Sequence, residues 1–146
     1  MTQEEIKAII PHRDPFLFLS EVEACVSGES CTGVWKLTGE EYFFKGHFPD
    51  YPVVPGVLLL EAVCQTGAVA ILCKDEYRGR IAVLAGVEKA RFRKQVRPGD
   101  TIRMTARVIR QKGIIGVAEG EGYVDGELAV SARVMFGLPE PEAQNV

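Results

Sequence analysis

"GHFPDYPVVPGVLLLEAVCQTGAVAILC", residues 46–73, is the stretch on which the fold turns. From Gly56 to Cys73 it is apolar on nearly every side of a helix and far longer than an ordinary strand. Pro55 and Gly56 open it, and proline suits a helix start because its missing N–H has no intrahelical partner there. Length alone would let the run cross a membrane. Glu61 and Gln65 lie inside it, however, and a carboxylate at that depth costs about 2.5–3.5 kcal/mol in lipid. The stretch therefore reads as the buried helix of a soluble protein, one that needs cover all round.

Working outward, "TQEEIKAI" predicts a short helix capped by Thr2, with Glu4 and Glu5 at its positive end and Pro11 as its stop. "PFLFLSEVEACV" predicts a first strand, pairing across a turn at Gly28 with a second, Ser30 to Gly39. Beyond the helix, "IAVLAGVEKARFRKQV" predicts one long strand bent at Gly86. "TIRMTARVIR" sets Ile102, Met104, Ala106 and Val108 on one face. Lys112-Gly113 marks a turn, and Asp125-Gly126 is a hairpin signal before a strand carrying Leu128, Val130, Ala132, Val134 and Phe136 on one side. One long hydrophobic helix wrapped by a curved antiparallel sheet is an α+β architecture. We read residues 1–146 as a single domain, with a frayed tail at "PEPEAQNV".

Composition narrows the function classes. A net charge of −3 gives no electrostatic reason to bind nucleic acid. The four cysteines (Cys25, Cys31, Cys64, Cys73) form no C-x-x-C pair and the two histidines are far apart, so no metal site is expected. The thiols read as reduced and mostly buried, as in a cytoplasmic protein. The acidic N-terminus lacks the basic segment of a secretory signal.

The chemistry concentrates in the opening stretch. Pro49, Pro52 and Pro55 recur every third residue and stiffen the loop that carries His47. Neutral imidazole is the usual general base. Glu61 lies inside the apolar helix, where desolvation favours the protonated acid, and Gln65 stands one turn on, expected to orient it and, with Gly56, to bind substrate. Gly56 exposes its N–H to an oxygen at the helix start. An acid, a base and a carbonyl-polarising amide suit proton abstraction beside a carbonyl, coupled to loss or gain of a leaving group. His12, in "PHRDPF", reads instead as an anchor for the loop after the first helix, and Cys64 as a small core residue.

"IPHRDPFLFL", "FFKGHFPDYPVVPGVLLLEAVCQ" and "ARFRKQVRPGD" resemble the β-hydroxyacyl-acyl-carrier-protein dehydratases of bacterial type II fatty acid synthesis. The likeness runs from about Ile6 to about Phe136, and its blocks fall in the family's order. It implies the hot-dog fold, a helix held in an antiparallel bun. It implies His47 as the catalytic histidine, Glu61 as the catalytic acid and Gly56 as the amide on the thioester carbonyl. It implies a cofactor-free loss of water from a (3R)-3-hydroxyacyl chain on acyl carrier protein, giving the trans-2-enoyl chain. Each site would be completed by the second subunit of a homodimer, with hexamers as trimers of dimers. Glutamate at 61 resembles the dehydratase-only branch, while Asp50 and Tyr51 depart from the common glycine after H-F-P. Arg91, Arg93, Lys94 and Arg97 become the expected dock for the acidic carrier. A hot-dog thioesterase and a non-catalytic acyl-binding module are the competing readings.

Overall fold

The computed structural model describes residues 1–140, so the tail expected to fray lies mostly outside the described residues. Thr2 caps α1 (Gln3–Lys7) in a reciprocal box with Glu5, as its sequence predicts. The strands are β1 (Glu21–Val26), β2 (Ser30–Lys36), β3 (Val83–Phe92), β4 (Thr101–Lys112), β5 (Ile115–Val124) and β6 (Glu127–Gly137). They form one sheet in the order β1-β2-β4-β5-β6-β3, and every pairing is antiparallel. Helix α2 (Gly56–Leu72) lies in the curl of that sheet, chiefly against β4 and β2. No helix among the described residues is long and apolar enough to cross a membrane.

Two glycines let the helix seat. A Cβ on Gly33 of β2 would meet Thr66 of α2 at 2.9 Å, and one on Gly120 of β5 would meet Val63 closer still. Ile102, Met104 and Ala106 of β4 point inward beneath it, all buried. The Asp125-Gly126 hairpin has both residues at positive φ, 49° and 79°, the geometry that matches strand twist in a two-residue turn.

The structure departs from the sequence reading in three places. The first strand starts at Glu21 and not at Pro15, because the backbone of Phe16 and Phe18 is bonded to the Gln65 side chain of α2. Strand β3 shifts register at Gly86 as predicted, but again between Glu88 and Arg91, where Lys89 takes φ 55°. The third concerns cover: this chain does not enclose α2 all round. Val57 is 70% exposed, and Leu60, Glu61 and Cys64, which share its stripe, are only half-buried. The edge strand β3 leaves apolar side chains open, with Leu84 49% exposed and Val83, Val87 and Phe92 similarly bare, beside the charged Glu88, Lys89 and Arg91.

Candidate functional site

A cavity of about 110 Å³ opens between α2 and the sheet. Ala68, Ile71, Leu84, Val134 and Phe136 make its wall apolar, and Glu61, Gln65 and His12 supply the polar groups. An apolar recess with a few convergent polar groups is the usual form of a small-ligand site.

Glu61 brings a carboxyl group to this recess, and its side chain is 24% exposed, less enclosed than the leucines around it suggest. Gln65, only 1% exposed, holds it: Gln65 Nε2 donates to Glu61 Oε2 at 2.9 Å. The same Nε2 donates to the Phe16 carbonyl at 2.9 Å, while Gln65 Oε1 accepts from Phe18 N–H at 2.9 Å. These partners fix which end of the amide is which. Both amide protons are committed to the chain, so Gln65 acts on the site by fixing Glu61 and the Phe16–Phe18 segment.

His47 follows a short 3₁₀ turn, Tyr42–Lys45, on the proline-bearing loop. Its Nδ1 lies 2.9 Å from the Val53 carbonyl, and its backbone carbonyl accepts from Val53 N–H at 3.0 Å. A carbonyl only accepts, so Nδ1 carries the proton and Nε2 presents a lone pair, the form that takes protons. Val54 N–H donates to the Val96 carbonyl at 2.8 Å and pins the loop to the chain after β3. Pro55 caps α2 in extended geometry, and Gly56 begins the helix among the amides that lack intrahelical acceptors. A side chain at Gly56 would press on the Phe92 ring at 3.3 Å.

The structure brings Glu61 and Gln65 together. It does not put His47 in the cavity that Glu61 lines in the same chain. Arg91, Arg93 and Arg97 are exposed, and Lys94 sits 3.5 Å from Glu127. Tyr51, one of the two departures from the common loop, reaches this basic segment. Its hydroxyl donates to Gln95 Oε1 at 2.6 Å, and the Arg97 guanidinium lies over its ring at 4.3 Å.

One correction follows. Arg13, not His12, anchors the loop after α1, donating to the carbonyls of Lys7, Ile10 and His12. His12 turns into the cavity instead, with Nε2 3.5 Å from Glu61 Oε2. Its position beside a polar pair 49 residues away depends on the tertiary fold, and "PHRDPF" carries no local signal for it. Cys64 lines the same cavity, but burial and then the neighbouring Glu61 charge push its thiol up to about 12. It stays protonated near neutral pH and offers no thiolate nucleophile. Among the described residues no cluster of histidine, cysteine or acidic side chains could hold a metal ion.

Comparison with known proteins gives the family. Residues 10–133 match the family model described as a FabA-like domain. The 3-hydroxyacyl-acyl-carrier-protein dehydratase FabZ of Bacillus licheniformis is 49% identical over 95% of this chain and 96% of its own. FabZ of Oceanobacillus iheyensis is 49% identical over 94% of this chain and 99% of its own. Among solved structures, the dehydratase heterocomplex ApeI:P from Xenorhabdus doucetiae superposes with a TM-score of 0.81 at 18% identity, over 96% of this chain and 94% of that one. The E. coli PaaI protein gives 0.63 at 20% identity, over 82% and 79%. At these identities the structural matches speak for the fold alone, a six-stranded bun around one helix.

Proposed function

The chain belongs to the FabA-like domain family, and on that premise we propose that it dehydrates 3-hydroxyacyl chains carried on acyl carrier protein in fatty acid biosynthesis. The observation that carries the reading is Glu61, held by Gln65 at the wall of an apolar cavity, beside a chain 49% identical to FabZ. It is a hydro-lyase reaction with balanced proton traffic. His47 Nε2 takes the proton from C2 while Glu61 gives its proton to the hydroxyl leaving C3. The C2–H and C3–O bonds break, the C2=C3 double bond forms, and water departs. The Gly56 N–H, at the positive end of α2, polarises the thioester carbonyl as charge builds on it. Exchange with water resets both groups. No cofactor takes part.

The working unit in this reading is a homodimer. Two features support it: the Glu61 cavity lacks His47 of its own chain, and the bare stripe on α2 and the exposed apolar side chains of edge strand β3 want cover. A second copy along β3 would supply that cover and bring its own His47 loop to the cavity. A hexamer of three such dimers is the larger assembly. Arg91, Arg93, Lys94 and Arg97 steer the acidic carrier protein to the site, raising encounter rate more than affinity. The activity is placed in the cytoplasm.

Incubation with 3-hydroxyacyl-carrier protein, read by mass, tests the reaction. The expected product is the acyl carrier lighter by one water, at every chain length that is turned over. Free carrier thiol with no enoyl product would make the protein a thioesterase instead.

A further inference from the structure

We infer that His12 is a positioning residue for Glu61, one that fixes which carboxyl oxygen holds the transferable proton. The inference rests on the acid role proposed for Glu61. It begins with what His12 does not do. Arg13 already braces the His12 backbone by donating to its carbonyl at 2.7 Å and to those of Ile10 and Lys7 at 3.0 Å. The imidazole is therefore not needed to hold the loop. It lines the Glu61 cavity, 21% exposed, with Nε2 3.5 Å from Glu61 Oε2. That is longer than a formed hydrogen bond, and catalytic contacts of this kind tighten as the reacting complex forms.

The other ring nitrogen decides the tautomer. Nδ1 is buried and has no hydrogen-bond partner. A proton there would be a desolvated donor with nothing to receive it, whereas a bare lone pair leaves the N–H on Nε2, the nitrogen 3.5 Å from Glu61 Oε2. Oε2 then faces two donors, Gln65 Nε2 at 2.9 Å and His12 Nε2. An oxygen accepting two N–H groups is the poorer seat for the acidic proton. The proton goes to Oε1, the oxygen left for the substrate hydroxyl. When it has been given up, both donors stabilise the negative charge on Glu61. Their effect therefore grows between ground state and transition state, and should appear in kcat and not in KM.

Three substitutions at His12 separate this from a packing role. His12→Phe keeps the ring and loses the donor; it lowers kcat about tenfold to a hundredfold with KM unchanged. His12→Gln carries an amide N–H to the Nε2 position and restores turnover to within about threefold of the unmodified enzyme. In a Glu61→Gln background His12→Phe adds no further loss, because the group it positions has gone. The inference is overturned if His12→Phe matches the unmodified enzyme, if the Phe and Gln variants fall equally, or if the two losses multiply. Should His12→Phe fail to fold, His12→Asn replaces it: its shorter amide cannot reach Glu61, so Asn and Gln variants of equal activity would overturn the inference as well. An unmodified enzyme without enoyl product, or a Glu61→Gln variant at full rate, would overturn the acid role itself and this inference with it.

Discussion

Glu61→Gln lowers the rate of enoyl formation by about two to four orders of magnitude, and His47→Ala does the same, each removing one proton-transfer partner. The glutamine is close to isosteric and its amide holds no transferable proton, so the loss falls on kcat. Folding changes little, because Glu61 is partly exposed and its one formed hydrogen bond is to Gln65. His47→Ala also removes the contact to the Val53 carbonyl, so its kinetics are read beside a thermal melt. Pre-steady-state enoyl formation measures both. Either variant at the unmodified rate removes that residue from the chemistry.

Gln65→Leu should be the most damaging single change to the framework of the site. It strips partners from three places at once: Phe18 N–H, the Phe16 carbonyl and the Glu61 carboxyl. The buried Phe18 N–H left unpaired costs about 1–3 kcal/mol, while the carbonyl of the exposed Phe16 can turn to water, so unfolding should be easier by about 1–3 kcal/mol. That is a large share of a stability of about 5–15 kcal/mol. Gln65→Glu fills the same space and keeps an acceptor for Phe18 N–H. It loses the donors to Phe16 and Glu61 and brings two carboxyl groups together, so activity falls further than stability does. Urea unfolding beside turnover separates the two variants. A Gln65→Leu midpoint equal to that of the unmodified protein would mean that the Phe16–Phe18 segment is held by something else.

Parts of this architecture are legible in the sequence because their causes are local. Helix α2 announces itself by length, apolar composition and the Pro55-Gly56 start. The β5–β6 hairpin is written in Asp125-Gly126, and the first break of β3 in Gly86. What stays hidden has distant causes. Nothing in "PFLFLS" says that its backbone will bond a glutamine 47 residues later in place of a neighbouring strand. Lys89 at φ 55° has no glycine or asparagine to betray it. The site divides the same way. Glu61 with Gln65 follows from helical spacing, while His12 beside Glu61 exists only once the segment after α1 has come against α2. His47 and Glu61 stand out by residue type and by the family resemblance, and the division of one site between two chains that we propose has no local signature at all.

That division is the central claim, and mixing two inactive variants tests it most directly. His47→Ala and Glu61→Gln chains are unfolded together, refolded as a mixture and assayed for enoyl product against each variant refolded alone. Random pairing makes half the dimers mixed, and each mixed dimer has one site with both residues intact. The mixture should therefore recover about a quarter of the unmodified activity. If it stays at the level of the single variants while forming dimers, His47 and Glu61 act within one chain and the shared-site account is wrong.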